Sequence, residues 1–379
     1  MTITNMPEKT AKLDSLFTKL TDSGDVHSAV AAVESLDGSF TWRSAYGQAD
    51  QSGTLMQIET PFNIASVTKL FIAAAILRLA EQGRLEITQP ISEHLPHVLI
   101  EGIHRTKDGE DHTHKITIWH LLAHASGIPD YFEDYPKGEP RLADRMVAEG
   151  DQYWSIDKIT DYIRDKLVAH FPPQPFQGEK IRVRYSDTNY QLLIAIIQAI
   201  TGHPHHEAFK EMFFEPLNMA HTYLPGTQPL KPTLDEALIW AGKDPLDLPL
   251  LLSSLGDLNS TIDDLLQFMR ALINGEAFAN PETAQKMRQD WHTFGLPTTM
   301  PPLSPNWPIQ YGLGMMRYKI PQLLPPFRSV PAVIGHTGVS GSWLFYCPDL
   351  DLVMTGTLNQ INAAALPYRF LPKVLQAMK

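Results

Sequence analysis

Serine followed three residues later by lysine is a spacing that can activate a nucleophile. On a helix the two side chains lie one turn apart on the same face, so an amine can draw the proton from a hydroxyl. The chain carries the pattern twice, as Ser66-Val67-Thr68-Lys69 and Ser155-Ile156-Asp157-Lys158. Their neighbours separate them. Ser155 precedes Ile156, Ile159, Tyr162 and Ile163, with Asp157 in the first turn, which predicts the N-cap of a surface helix and a solvated Lys158. Ser66 precedes Leu70-Phe71-Ile72-Ala73-Ala74-Ala75-Ile76-Leu77, apolar on every face, which predicts a buried helix ending near Gly83. A serine at the mouth of such a helix meets converging N–H groups and a positive dipole end. A lysine held dry beside it is expected to have a lowered pKa and to act as the base. The same residues fit equally well a helix cap whose lysine snorkels to solvent.

Two further constellations place polar groups where chemistry is possible. Tyr185-Ser186-Asp187 stands before Tyr190, Leu192, Leu193, Ile196, Ile197 and Ile200, again at the mouth of an apolar helix. Capping by Ser186 or Asp187 is the plain alternative. His336-Thr337-Gly338 closes a strand-like run, with Gly341-Ser342-Trp343 just behind. Its plain alternative is a strand ending in a glycine turn.

Other chemistries find no support. His120 and His124 are spaced i, i+4, and His112-Thr113-His114 and His203-Pro204-His205-His206 form local pairs. The first pair lacks the glutamate of a zinc-protease helix, the others lie in polar loops, and no third ligand is evident, so no metal is expected. No phosphate-cradling loop ends in Lys-Ser or Lys-Thr, and Gly312-Leu313-Gly314 lacks the third glycine of a dinucleotide fingerprint. No Gly-x-Ser-x-Gly elbow is present. No cofactor is expected.

The elements that must hold these residues read as a mixture of strands and helices. Ala29–Leu36 and Phe40–Tyr46 flank Asp37-Gly38, a hairpin signal. Ser342–Cys347 and Leu352–Leu358 flank a second turn at residues 348–351, and Val333–Thr337 precedes them as a further strand. Helical spacing marks Lys12–Leu20 and the last dozen residues. Between about Ile116 and Ile273 the periodicity is mainly helical. Pro301-Pro302 and Pro325-Pro326 mark long loops. The expected fold is α+β: a five-stranded antiparallel sheet flanked by helices, formed by residues 1–95 and 255–379, with a mainly helical domain inserted at 96–254.

Of 379 residues, 43% are hydrophobic and 19% charged, a globular composition with a sizeable core. The net charge of -11 would repel a phosphate backbone, so nucleic acid is not an expected partner. Cys347 is the only cysteine, which excludes an internal disulfide and a cysteine zinc site. No run approaches the roughly 18 apolar residues of a membrane span. The first twenty residues lack an apolar signal region, so the chain as written reads as cytoplasmic, or as extracytoplasmic if a leader was removed. Its oligomeric state is left open.

The order Ser-x-x-Lys, Tyr-Ser-Asp, His-Thr-Gly resembles the serine β-lactamase and penicillin-binding protein superfamily. The resemblance is to the branch of class C β-lactamases, D-alanyl-D-alanine carboxypeptidases and related esterases. Supporting stretches are Phe62–Lys69, His120–Gly127, Tyr311–Gly314 and Gly335–Gly338, and the likeness runs from about residue 12 to the C-terminus. It implies an active site in the cleft between a sheet domain and a helical domain. It also implies Ser66 as nucleophile, Lys69 as its activator and Tyr185 as a second base that shuttles the proton. Asp187, His336, Thr337 and Gly338 would face the substrate, and the N–H groups of Ser66 and Val339 would hold the oxyanion.

Two positions depart from the family pattern. Asp187 stands where many members have asparagine, a change that a protonated state or a partner such as Lys69 would accommodate. His336 stands where lysine is usual, and its charge is expected to change near neutral pH. The implied function is a serine hydrolase that acts through an acyl-enzyme on a small ester or amide, in the manner of a D-alanyl-D-alanine carboxypeptidase or an esterase. A small molecule or peptide is the expected substrate. A class C-like β-lactamase and a non-catalytic binding or regulatory protein of the same fold are the alternatives. Loops around Tyr131–Gly150 and Pro297–Pro308 are expected to shape the pocket.

Overall fold

The structure, a computed structural model, describes residues 6–22, 26–176, 181–293, 309–319 and 330–379. The two Pro-Pro loops and the pocket segment Pro297–Pro308 lie outside these residues.

Among the described residues the sheet has eight strands rather than the five expected. In chain order they are β1 (Ser28–Ser35), β2 (Thr41–Gly47), β3 (His292–Thr293), β4 (Ile309–Tyr311), β5 (Met316–Tyr318), β6 (Val333–Thr337), β7 (Trp343–Cys347) and β8 (Leu352–Thr357). They lie in the order β2-β1-β8-β7-β6-β5-β4-β3, every neighbour antiparallel. The five expected strands are β1, β2, β6, β7 and β8, each within a residue of its predicted bounds. The three that the periodicity missed are two or three residues long, too short to show an alternation. They form by pairing outward from β6, with Met316 opposite Gly335 and Tyr311 opposite Met316.

Both faces of the sheet are covered, which explains why β1 reads as a nearly continuous apolar run. Successive side chains point to opposite faces. Ala29, Ala31 and Val33 join one core with Leu13 and Phe17 of helix α1 (Met6–Thr21) and with Phe370 and Leu371 of the C-terminal helix. Val30 and Ala32 join the other, with Phe71 of helix α2 (Thr68–Glu81) and Leu265 of helix Ile262–Asn274. The two terminal helices are tied directly, since Lys9 Nζ donates to the carbonyl of Met378 at 2.7 Å.

Helix α2 is the centre of the second core. Its ring Phe71 stacks on Phe268 with centroids 3.6 Å apart, and it packs against helix α3 (Asp187–Thr201). No helix among the described residues is long and apolar enough to cross a membrane.

The turn between β4 and β5 approaches α2 unusually closely. Gly314 has φ +76°, and a Cβ there would fall 2.1 Å from Cβ of Ala73 and 3.3 Å from the carbonyl of Lys69. This contact brings Tyr311 to the helix that carries Lys69 and follows Ser66. Gly314→Ala combines backbone strain with overpacking and should cost about 2–5 kcal/mol. An unchanged urea midpoint would contradict the packing described.

Candidate active site

The backbone before Ser66 is pinned from three directions. Phe62 and Asn63 pair with Asn259 and Ser260. Asn63 Oδ1 accepts the N–H of Ala65 at 3.0 Å, and the carbonyl of Leu258 accepts the N–H of Ile64 at 2.9 Å. From the sheet, Ser340 donates to the carbonyl of Asn63 and Ser342 to that of Ile64, at 3.0 and 2.8 Å. Ala65 is thereby held at φ +44°, a region costly for a residue with a Cβ. Ser66 sits in a single 3₁₀ turn, Ala65–Val67, that leads into α2. The expected buried helix is present, with Ser66 just ahead of its first residue, and Gly83 lies just past its end with φ +66°.

The three residues proposed for proton transfer meet at one oxygen. Lys69 Nζ and the hydroxyl of Tyr185 each donate to Ser66 Oγ at 3.0 Å. Lys69 is buried and does not snorkel to solvent. Its Nζ also lies 2.5 Å from Asp187 Oδ1, and the ammonium faces the rings of Tyr185 and Tyr190 at 5.2 and 5.4 Å. Asp187 therefore has the partner that the sequence reading allowed for it.

The expected lowering of the Lys69 pKa does not occur. Burial acts in that direction, but the charges of Asp187, Tyr185 and Asp257 and the hydrogen bond to Asp187 raise the ammonium well above its ordinary value. The resting state is an ion pair. Burial, with the charge of Asp187, likewise pushes the Tyr185 phenol well above its usual range, so it rests protonated and donates to Ser66. Neither group is a free base until a proton moves. The carboxylate beside the Lys69 ammonium is Asp187, at 2.5 Å.

The capping alternative fails for Ser186. It is the N-cap residue of α3 but makes no side-chain cap; its hydroxyl donates to the carbonyl of Pro129 at 3.2 Å. Ser155 behaves as expected of a cap, accepting from the N–H of Lys158.

His336 is fully buried on β6 and does not titrate near neutral pH as the sequence reading expected. Burial pushes its pKa down to about 3, helped by the nearby Lys69 ammonium. Its Nδ1–H donates to the carbonyl of Thr337 at 2.7 Å, which leaves Nε2 facing the hydroxyl of Tyr311 at 3.2 Å. The hydroxyl of Thr337 pairs with that of Tyr368 from the C-terminal helix at 2.8 Å. Gly338 passes so close to the nucleophile segment that a Cβ would lie 2.7 Å from the carbonyl of Ile64. That approach sets Val339, which is 42% exposed, beside Ala65 in the wall of one cavity.

Several residues of the site were not singled out from the sequence. Tyr311 belongs to the family-like stretch Tyr311–Gly314, whose sequence alone implies no role for its hydroxyl. The hydroxyl of Tyr190 donates to the carbonyl of Leu122 and faces that of Tyr311, which links α3 to the sheet. Asp130 and Asp257 are near enough to Asp187 for their charges to interact. Burial and that charge raise Asp130 well above the usual carboxylate range and Asp257 to about 7. An aspartate in a loop carries no sequence signal for such a position. His120 and His124 do not share a helix face: the helix ends at Leu122, and His124 has φ +55°.

With this geometry in view, the chain belongs to the beta-lactamase family, whose model matches residues 13–366. Protein flp of Staphylococcus aureus (strain NCTC 8325 / PS 47) is 32% identical over 163 residues, which are 43% of this chain and 28% of that protein. The chain thus matches little more than a quarter of that relative's length. Among solved structures, the D-amino acid amidase of Ochrobactrum anthropi SV3 superposes with a TM-score of 0.72 at 21% identity, covering 98% of this chain and 97% of the amidase. EstCE1, a hydrolase with promiscuous acyltransferase activity, gives a TM-score of 0.72 at 21% identity over 98% of both chains. At these identities the superpositions show the fold.

The ion pair makes a signed prediction. Asp187→Asn removes the charge that raises the Lys69 pKa, so the neutral amine should appear at lower pH. The acid limb of the pH profile for Ser66 acylation by a fluorophosphonate should shift downward. An upward shift or none would show that Asp187 does not control Lys69. In the wild type, NMR of His336 should show no titration between pH 5 and 8.

Proposed function

We propose that the protein is a serine hydrolase that works through an acyl-enzyme on neutral esters or amides. The observation that carries this reading is the convergence of Lys69 Nζ and the Tyr185 hydroxyl on Ser66 Oγ, each at 3.0 Å, at the mouth of a buried helix. In the proposed reaction Lys69 passes a proton to Asp187, the resulting amine takes the proton of Ser66, and Oγ attacks the carbonyl carbon. The N–H groups of Ser66 and Val339 would hold the oxyanion. Tyr185, which rests as a phenol, would protonate the leaving group and regain its proton through Lys69. Water then attacks the ester, with the same groups moving protons in reverse order. The sheet part (1–95 and 255–379) and the mainly helical part (96–254) would be the two walls of the site.

Charge supports an esterase or amidase over a carboxypeptidase or a β-lactamase, whose substrates carry a carboxylate. Among the described residues the only cation at the nucleophile, Lys69, is already paired with Asp187. Burial favours the neutral acid at Asp130 and brings Asp257 to about 7, and His336 is neutral, so none of the three offers a positive charge. A substrate anion would find no unpaired cation among these groups. Beside Ala65 and Val339 lies a cavity of about 60 Å³, walled by Phe132, Leu251, Leu255 and Ile361. It would take a small apolar group, less than the benzene that fills a cavity of ~150 Å³. None of Tyr185, Tyr311 and His336 lines it, so it lies away from the proposed leaving-group side and would receive the acyl part.

Intact mass and peptide mapping after exposure to a fluorophosphonate, and separately to a penicillin, test the reading. A single adduct on Ser66 from the fluorophosphonate, with none from the penicillin, is the expected result. Labelling by both would favour the penicillin-recognising branch. No adduct on folded protein would favour the non-catalytic alternative. Ser66→Ala should abolish ester turnover with the fold retained, and Lys69→Ala should cost nearly as much because the two act as a unit. Wild-type turnover in either variant would remove that residue from the mechanism.

A further inference from the structure

We propose that His124 is a positioning residue for Tyr185, acting as a neutral hydrogen-bond acceptor that clips the chain on both sides of it. The kinetic arm of this inference rests on the hydrolase reading above; the geometric arm does not. His124 follows the short helix Ile118–Leu122, is fully buried, and has φ +55°. Its carbonyl accepts the N–H of Arg184 at 2.9 Å, and its ring Nδ1 accepts the N–H of Ser186 at 3.2 Å. One residue therefore holds the backbone immediately before and immediately after Tyr185. Its ring also lies against the Tyr185 ring, with centroids 4.5 Å apart and planes tilted by 34°.

The protonation state of His124 follows from its partners. Nδ1 faces the side-chain amide of Asn189 at 3.0 Å as well as the N–H of Ser186. The orientation of that amide is set elsewhere. Ser126 accepts the N–H of Ile128 and donates to Asn189 Oδ1 at 2.7 Å, so the NH₂ end of Asn189 points at His124. With two donors aimed at it, Nδ1 carries no proton and Nε2 does. Nε2 is buried and has no hydrogen-bond partner among the described residues; the rings of Tyr185, Tyr190 and Tyr311 surround the imidazole. Burial and the charge of Lys69 keep the imidazole from protonating.

A strained backbone and an unpaired buried donor coincide at one residue, beside a phenol that must keep its contact with Ser66. Such outliers persist where the surroundings over-determine them, often at functional sites. A histidine selected only to fill space would need neither feature.

Two substitutions separate the acceptor from the ring. In His124→Asn, Oδ1 replaces Nδ1 as acceptor and asparagine tolerates the positive φ. In His124→Phe the ring remains but two buried N–H groups lose their acceptor. His124→Asn should keep kcat for a small neutral ester within about fivefold. His124→Phe should lower kcat on the order of a hundredfold with little change in KM, the scale of a misplaced reacting group. Circular dichroism and thermal melting identify any variant that has failed to fold. Equal losses in both folded variants, or wild-type kcat in His124→Phe, would overturn the proposal. The wild type gives a readout independent of activity: its His124 ¹⁵N spectrum should show a bare Nδ1 and a protonated Nε2 from pH 5 to 9. A protonated Nδ1 would refute the clip even in an active enzyme. If no ester is turned over and Ser66 is not labelled while the tautomer is as stated, the hydrolase reading fails and the clip stands.

Discussion

The site is organised around a lysine ammonium and an aspartate carboxylate buried together at 2.5 Å, with a serine hydroxyl as the third member of the contact. Removing two charges from water is expensive, and such a pair survives only where the geometry and the remaining hydrogen bonds are good. Here Lys69 comes from α2 and Asp187 from the first turn of α3, so the pair is also a lock between the two helices. Tyr190 extends the lock through Leu122, and the glycine at 314 lets the β4–β5 turn press Tyr311 against the same helices. Much of the fold near the site serves to keep this small volume dry and its donors in register.

The same pair determines which protonation states are available. An ammonium beside a carboxylate is poor as a base, and a phenol in a dry, acidic setting is poor at losing its proton. Both start the proposed reaction in their proton-bearing forms. The proposal resolves this by a short internal transfer to Asp187, 2.5 Å away, without a distant base. His336, held neutral by burial, adds shape and a hydrogen bond to Tyr311 and contributes no charge. These groups thus offer no unpaired cation, which is why neutral substrates fit the proposal better than anionic ones.

How much of this could be read in advance depended on the range of each signal. Ser66 and Lys69 are three residues apart, and the apolar run after them announces a buried helix; their relation is local. The five longer strands show themselves by hydrophobic runs and turn residues. The strands β3, β4 and β5 do not, because two or three residues cannot establish a period. Asp130 and Asp257 lie in loops, and their place near Asp187 comes only from chain crossings far apart in sequence. His124 stands i, i+4 from His120, a spacing read as helical but without the further ligands of a metal site. Its positive φ takes it off the helix and gives it a different set of partners.

By itself the sequence determined the residue types and the order of the three motifs, together with the elements on which they ride. Those follow from local geometry: helix pitch, strand alternation and turn stereochemistry. Tertiary structure alone decided the charge states. A lysine near a helix mouth should titrate low if burial is its whole environment, and high if a carboxylate from another helix closes on it. The choice depends on a contact across 118 residues of chain, and electrostatics in a dry interior is decided by distances that no local pattern encodes.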